Sequence, residues 1–294
     1  NIFSGSITLK DMKVTSQNTE KWQWSAKTFY MSLALSCFQL KKNYPNHKLE
    51  LVTDEIGKDI LIDKIKLPYD SVVVGLEAAN KYSYKLWAIG KIMAYSVQEE
   101  PFIHVDGDVF VWDKILYRIF ESNLCAQSSD KNSEYYTKIS IDVLKYFNNV
   151  PGDLKNKLLK QIPLGINAGI IGGNNIAFFK EYTSYVFGFI NENMTQIDML
   201  DQEFFNLFYE QLIFSYLQEK NNIKLDILFE DLSLDFREII DMKMIPIQSY
   251  NHIVGQAKKS SFNNEQVNLR MYLNHKTYFE RIEKFINDQP FNEK

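Results

Sequence analysis

Apolar and polar positions follow two different spacings along the first third of the chain. Short apolar runs at residues 49–53, 71–75 and 102–105 have the length of buried strands. Between them, apolar residues recur at helical spacing over residues 26–40 and 83–96. Strands separated by helices of this length predict crossover units, so the pattern favours an α/β fold with a mainly parallel sheet.

The remainder of the chain is less regular. Ile2-Phe3 and Ile7-Thr8-Leu9 give weak strand signals on either side of a Ser-Gly-Ser sequence, which predicts a turn. Residues 123–127 and 165–173 predict further strands. Helical spacing predicts helices over residues 133–147, 176–191, 202–218 and 264–287. Because no repeat, low-complexity tract or Pro/Gly/Ser-rich linker interrupts the pattern, we expect a single domain over residues 1–294 with halves 1–112 and 113–294.

Composition and charge narrow the class of protein. The 294 residues are 45% hydrophobic and 24% charged, which is typical of a globular protein. The net charge is -4, so no overall positive field exists to attract nucleic acid. No apolar stretch of about 18 residues appears, which argues against a transmembrane helix. Cys37 and Cys125 lie far apart and lack the spacing of a zinc site, and they favour free thiols in a reducing cytoplasm.

Residues 102–112 carry the strongest chemical signal. Asp106-Gly107-Asp108 interrupts an apolar strand, so two carboxylates lie at a strand end. Charge in such a place needs a cation, hydrogen bonds or water. A hard divalent cation such as Mg²⁺ or Mn²⁺ prefers carboxylate oxygens. A hairpin turn, which Asp-Gly also favours, is the alternative interpretation of the triplet.

A second group of polar residues lies near the C-terminus. His252, Gly255 and Lys258 supply an imidazole, a small residue and an ammonium within seven positions. A neutral imidazole can complete a metal shell, and a lysine can neutralise a diphosphate. His104 competes for the metal role, but strand alternation places it deeper in the sheet than Asp106, so we rank it lower.

The order of these motifs resembles that of the GT-A glycosyltransferases, and within them the glycogenin-like and galactosyltransferase-like enzymes of glycosyltransferase family 8. The resemblance spans roughly residues 84–258, a series much more specific than any single triplet. It rests on five elements in the family's order: Tyr84-Lys85-Leu86-Trp87, the strand with Asp106-Gly107-Asp108, Asn167-Ala168-Gly169, Asp201-Gln202-Glu203 with Asn206, and His252-x-x-Gly255-x-x-Lys258.

The resemblance implies a Rossmann-like GT-A fold, with residues 1–112 as the nucleotide-binding half and 113–294 as the acceptor-side half with the C-terminal helices. It also implies a nucleotide-sugar donor, with a UDP-sugar favoured, and transfer that retains the configuration of the sugar. Each matching residue receives a role from the family. Mn²⁺ or Mg²⁺ would be bound by Asp106, Asp108 and His252, further donor contacts would come from Lys85, Gly169, Gly255 and Lys258, and the reacting sugar would be oriented by Asn167, Asp201 and Gln202.

The sequence also departs from the family, and other functions stay open. Lys259-Ser260 stands where the family often has Pro-Trp, and the N-terminal nucleotide-binding strand is not matched closely. A nucleotidyltransferase shares the sheet and the acidic ligands, but residues 1–15 lack its Gly-rich basic loop. A nucleotide-sugar-binding or carbohydrate-binding protein without turnover is the non-enzyme alternative.

Neither the acceptor nor the partner of the C-terminal segment follows from the sequence. A glycan, peptide, lipid or small molecule would serve as acceptor. Residues 272–291 interleave aromatic, aliphatic and basic side chains, a pattern that suits a membrane surface or a partner protein. Packing of the apolar stripe against the domain is the commoner use of such a helix, and we favour it.

Overall fold

Strands and helices alternate along the computed structural model, which describes residues 2–7, 24–130, 133–160, 164–230, 239–242 and 249–288. The strands are β1 (Ile2–Ile7), β2 (Lys48–Thr53), β3 (Ser71–Val74), β4 (Phe102–Val105), β5 (Val109–Val111), β6 (Leu124–Asp130), β7 (Gly165–Gly173), β8 (Leu225–Phe229) and β9 (Tyr250–His252). The α-helices are α1 (Ala26–Asn43), α2 (Glu55–Lys58), α3 (Ile89–Ser96), α4 (Ser133–Tyr146), α5 (Gly152–Lys160), α6 (Ile176–Glu192), α7 (Gln202–Leu207), α8 (Ile213–Lys220), α9 (Ser261–Asn274) and α10 (Lys276–Asn287). Within these ranges, no helix is both long enough and apolar enough to span a membrane.

The chain divides into two compact units. One contains residues 1–77, 105–117 and 231–294, and the other contains residues 78–104 and 118–230. The expectation of one domain with a boundary after residue 112 stays a prediction.

Three parallel strands form the sheet of the first unit in the order β3-β2-β1. Helix α1 begins at the cap Ser25, whose hydroxyl accepts a hydrogen bond from the Thr28 N–H at 3.1 Å, and it ends before Pro45, which cannot continue a helix. Helix α1 is buried on most of its surface and packs against α9 and α10. The C-terminal pair therefore completes the core of this unit.

Two predictions for the first unit were wrong in detail. The Ser-Gly-Ser sequence forms no turn, because residues 2–7 pair continuously with β2 and so satisfy their backbone groups, while Thr8 and Leu9 lie outside the described residues. The single helix expected over residues 264–287 is two helices, separated at His275, whose ring stacks on Phe38 at 3.9 Å. Packing of Phe285 against Tyr30 of α1 agrees with the favoured interpretation of the C-terminal stripe.

The second unit has its own strand order, β4-β7-β6-β8, with β4 included as far as His104. Strand β6 pairs antiparallel with β7 and parallel with β8. Helices α3, α6 and α8 pack together. The described strand pairs in the two units are thus mainly parallel and lie beside helices, so the predicted α/β class is confirmed.

Several boundaries in the second unit differ from the prediction. Helix α3 begins at Ile89 rather than at Ser83, because the preceding residues form a turn in which the Leu86 N–H bonds to the Ser83 carbonyl at 2.9 Å. The helix expected over residues 202–218 contains a π-helical turn at residues 208–212. Helix α5, whose buried residues Leu154 and Leu158 are four positions apart, and the short strands β8 and β9 were not predicted.

Gly172 is required by the close packing of neighbouring strands in the second unit. A Cβ atom at this position would lie 2.2 Å from the Phe102 carbonyl oxygen and 2.7 Å from the Ile103 Cα. Both atoms belong to the backbone of β4, which cannot move aside as a side chain can.

We predict that Gly172→Ala lowers the free energy of unfolding by about 1–3 kcal/mol or more, because the added methyl overpacks two strands. Gly188→Ala is the matched control, since no atom lies within 4 Å of the place its added methyl would take in α6 and alanine favours a helix by about 0.5–1 kcal/mol. Urea unfolding of both variants measures the difference. Equal stabilities would contradict the packing of β4 against β7.

Candidate functional site

The Asp106-Gly107-Asp108 turn is fixed by helix α1. The Val109 N–H bonds to the Asp106 carbonyl at 3.1 Å, and the Ser32 hydroxyl donates to the Gly107 carbonyl at 2.7 Å. A Cβ atom on Gly107 would lie 2.0 Å from Leu33 Cδ2. A side chain of the helix therefore lies close against this glycine, where no side chain would fit.

Strand β9 brings His252 to the same turn. It pairs antiparallel with β5, with His252 opposite Val109, and the Ile253 N–H extends the pairing by bonding to the Asp108 carbonyl at 3.0 Å. His252 Nε2 consequently lies 3.4 Å from Asp108 Oδ1. One ligand atom from each of Asp106, Asp108 and His252 lies within 4.8 Å of the others, and His252 is buried.

A buried amide supports this strand pair, and no pattern in the sequence predicts it. Asn251 Oδ1 accepts a hydrogen bond from Trp112 Nε1 at 2.7 Å, while Asn251 Nδ2 donates to the Ile239 carbonyl at 3.0 Å. Asn43 of α1 donates to the Val111 carbonyl at 2.6 Å. These contacts fix the register that places His252 beside Asp108.

Lys258 contacts the second oxygen of Asp108. Gly255 has a φ of +55°, the left-handed conformation that favours glycine, and it begins the short 3₁₀ helix Gly255–Lys259. Lys258 Nζ lies 2.6 Å from Asp108 Oδ2, so the two oxygens of this carboxylate face different partners. Lys258 Nζ also lies 5.2 Å from the ring centre of the buried Trp24, a neighbour that sequence reasoning missed.

The charges around the turn favour the ionised form of Asp108. Burial tends to raise the pKa of Asp108, but attraction to Lys258 and His252 and hydrogen bonds from both outweigh it, so the pKa lies well below its usual range. Burial also raises the pKa of Tyr250 well above its ordinary value, with further contributions from Asp106 and Asp108. Asp108 therefore remains anionic throughout the neutral pH range.

His104 does not belong to this group of ligand atoms. Its side chain is fully buried in the second unit and packs edge to face on Tyr95, with ring centres 5.0 Å apart. This position agrees with its lower ranking as a metal ligand.

In the second unit, Asn206 joins two of the predicted motifs. Its Nδ2 donates to the Lys85 carbonyl at 2.8 Å and to the Gln202 carbonyl at 2.5 Å, and its Oδ1 accepts from the Ala88 N–H at 2.9 Å. The Lys85 side chain is exposed and lies in the turn before α3 rather than in the helix that the sequence predicted.

The side chains predicted to orient a sugar have different surroundings. Asn167 Oδ1 accepts a hydrogen bond from the Gly169 N–H at 2.9 Å in strand β7. Exposed Asp201 caps α7 by accepting from the Glu203 N–H at 3.2 Å. Buried Gln202 donates to Asp198 at 2.7 Å, while its Oε1 atom has no hydrogen-bond partner among the described residues.

The structure thus places the predicted residues in two groups. The first unit holds Asp106, Asp108, His252, Gly255 and Lys258, and contacts bring all but Gly255 directly together at one turn. The second unit holds Lys85, Asn167, Gly169, Asp201 and Gln202. Within it, Asn206 connects the backbone at Lys85 to that at Gln202.

Comparison with protein families identifies the chain at the family level. The family DUF6734, described as a family of unknown function, matches residues 8–285. The chain belongs to DUF6734. No curated protein matches it significantly.

Solved glycosyltransferase structures share the fold of this DUF6734 chain. A structure of an active-site mutant of LgtC has a TM-score of 0.50 at 9% identity, covering 92% of this chain and 94% of that one. The galactosyltransferase LgtC in complex with donor and acceptor sugar analogues has a TM-score of 0.49 at 10% identity, covering 97% and 96% of the two chains. The glycosyltransferase GlyE of Streptococcus pneumoniae TIGR4 has a TM-score of 0.48 at 11% identity; the match covers all of this chain but only 65% of GlyE. The LgtC mutant structure confirms the expected GT-A type of fold.

For this DUF6734 protein we predict that Asp108→Asn lowers stability at neutral pH when metal is chelated. Because the pKa of Asp108 is low in the folded chain, the ionised carboxylate stabilises the fold at pH values above its ordinary pKa of 3.8. This contribution is lost as the pH falls below that value. The stability difference between wild type and variant should therefore shrink in acid. Urea unfolding at a series of pH values measures it, with exposed Asp113→Asn as the control; a difference independent of pH would contradict the assignment.

Proposed function

We propose that this protein is a metal-dependent glycosyltransferase of the family 8 type, which moves a sugar from a UDP-sugar to an acceptor with retention of configuration. The observation that carries the proposal is the group formed by Asp106, Asp108 and His252, with Lys258 on the second oxygen of Asp108. The glycosyltransferase fold supports it. The cytoplasm is the proposed location, because the two cysteines are buried free thiols.

The donor atoms of this group fit a hard divalent ion. Two carboxylates and one imidazole offer oxygen and nitrogen ligands within 4.8 Å of one another, a set that suits Mn²⁺ or Mg²⁺. Thiolate ligands, which would favour a softer metal, are absent from the group. When bound, such an ion would stabilise the negative charge of the departing nucleoside diphosphate.

The lysines and glycines would hold the diphosphate. The Lys258 ammonium is already fixed beside Asp108, and an ammonium that needs no reorientation stabilises developing charge efficiently. The exposed Lys85 would add a second positive charge. Gly169 and Gly255 would allow the ligand to approach the backbone closely.

The polar side chains of the second unit would orient the donor sugar. Gln202 is the clearest candidate, because its Oε1 atom is buried without a partner among the described residues and can accept a hydrogen bond from a sugar hydroxyl. Asp201 and Asn167 would contribute further hydrogen bonds. The LgtC mutant structure concerns an active-site glutamine replaced by glutamate, which makes Gln202 the first residue to test.

We predict that wild-type protein binds Mn²⁺ and that Asp108→Asn or His252→Ala weakens the binding. The loss should exceed the ~10–100-fold that removal of a supporting partner costs, because each variant removes a ligand. Isothermal titration calorimetry measures the affinity, and exposed Asp113→Asn is the control. Lower thermal stability of His252→Ala in chelator, with unchanged Mn²⁺ affinity, would instead make His252 structural.

Incubation with a panel of nucleotide sugars tests the reaction itself. We predict Mn²⁺-dependent hydrolysis of one UDP-sugar, and a fall in kcat of about 100-fold in Gln202→Ala, because one preorganised hydrogen-bonding group is lost. Mn²⁺ affinity should not change in this variant, and Gln266→Ala on α9 is the control.

The same panel separates the alternatives. Binding of a nucleotide sugar without hydrolysis or transfer to any acceptor would favour a silent binding protein. Release of pyrophosphate from a nucleoside triphosphate and a sugar phosphate would favour a nucleotidyltransferase.

A further inference from the structure

A mostly buried ion pair lies inside the second unit, and neither of its residues was given a role above. Lys91 Nζ of α3 is 2.5 Å from Glu210 Oε1, and the side chains are 12% and 0% exposed. Glu210 stands in the π-helical turn at residues 208–212. The pair thus joins the helix after the Lys85 turn to the helix run that begins with Gln202.

Stability alone does not explain such a pair. Removing two charges from water costs several kcal/mol (order of magnitude), and apolar residues of similar volume often stabilise a protein as well or better. A carboxylate buried as fully as Glu210, beside a mostly buried ammonium, can instead fix geometry, and its neighbours show which geometry that would be.

Those neighbours belong to the elements that carry the proposed sugar-binding residues. Lys91 Nζ also lies 3.4 Å from the carbonyl of Ala168, which stands between Asn167 and Gly169. On the other side, the Tyr182 hydroxyl donates to the Glu210 carbonyl at 2.6 Å and holds the π-helical turn. A π-helical turn inside an α-helix frequently accompanies a functional site, because it changes the direction of side chains on the helix.

We propose that Lys91 and Glu210 are positioning residues for the donor sugar. The Lys91 ammonium holds the backbone of residues 167–169 through the Ala168 carbonyl. The Glu210 carboxylate binds the same ammonium, and it thereby anchors the helices that follow Asp201 and Gln202. This inference rests on the proposed function, because it assumes that Asn167 and Gln202 orient the same donor sugar. Neither residue contacts the sugar in this role.

The test compares three variants with wild type. The double variant Lys91→Met/Glu210→Leu removes both charges and keeps apolar side chains in their place, whereas Lys91→Met alone leaves the Glu210 carboxylate buried. Lys180→Met/Glu99→Gln is the matched control, because it removes an ion pair of the same unit whose side chains are 38% and 77% exposed.

Each variant is measured in three ways. Thermal unfolding reports stability, and amide hydrogen exchange of a peptide covering residues 166–170 reports the rigidity of the strand without any substrate. Steady-state kinetics with the donor identified by the nucleotide-sugar panel separates kcat from KM, and Mn²⁺ titration monitors the first unit.

We expect the double variant to keep the thermal stability of wild type while exchange at residues 166–170 accelerates at least about tenfold. Its kcat should fall at least about tenfold because the sugar contacts are misplaced, with Mn²⁺ affinity unchanged. Lys91→Met alone should lose stability, and the control should match wild type in all measurements.

Wild-type exchange at residues 166–170 in the double variant would overturn the positioning role, whether or not the protein turns over a nucleotide sugar. Wild-type kcat in the double variant would also overturn it. Absence of turnover in wild-type protein, together with accelerated exchange in the double variant, would refute the proposed reaction and leave the coupling of the pair to the strand established.

Discussion

The pairing of two three-residue strands decides where the chemistry of the first unit lies. Strand β5 follows the acidic turn directly, and β9 ends in His252, so their antiparallel register sets an imidazole beside a carboxylate across 144 positions of sequence. Each strand is short, and pairing alone would hold it weakly. The buried Asn251 amide of β9 strengthens the pair by accepting a hydrogen bond from Trp112, the residue after β5, and by donating one to the Ile239 carbonyl. A register shift of a single residue would turn His252 to the opposite face and separate it from Asp106 and Asp108.

Much of the fold follows from periodicity, and the failures have local causes. The predicted strand at residues 165–173 is β7 with the same bounds, and eight of its nine residues are buried. Helix α3 begins six residues later than predicted, since the side chain of Asn206, which lies far away in sequence, holds the turn before it. Strand β9 was missed because three residues carry no measurable period.

In the candidate site, residues that belong to sequence motifs were predicted, whereas residues that meet only through folding were not. The aspartates, His252 and Lys258 were predicted as one group because the order of the motifs resembles that of the GT-A glycosyltransferases, and in the structure their side chains lie at one turn. Trp24 was not predicted, because no sequence pattern indicates that its ring, which precedes α1, will lie beneath the Lys258 ammonium. Lys91 and Glu210 were missed for the same reason: each is one charged residue within an otherwise helical pattern, and only folding reveals that they meet in the interior.

The two units each contain a lysine–carboxylate ion pair, and the two carboxylates differ in how much of their surface is exposed. This difference distinguishes a binding role from a structural one. Around Asp108, the carboxylate keeps 13% of its side-chain surface exposed and Lys258 keeps 28%, so solvent or a ligand can reach both groups. Glu210 has no exposed side-chain surface, although its partner Lys91 keeps 12% of its own surface exposed. An accessible charge can exchange its partners for those of a ligand at little cost, whereas a sealed charge can only hold what already surrounds it. The same chemical pair, an ammonium on a carboxylate, therefore belongs to a binding site in one unit and to its framework in the other.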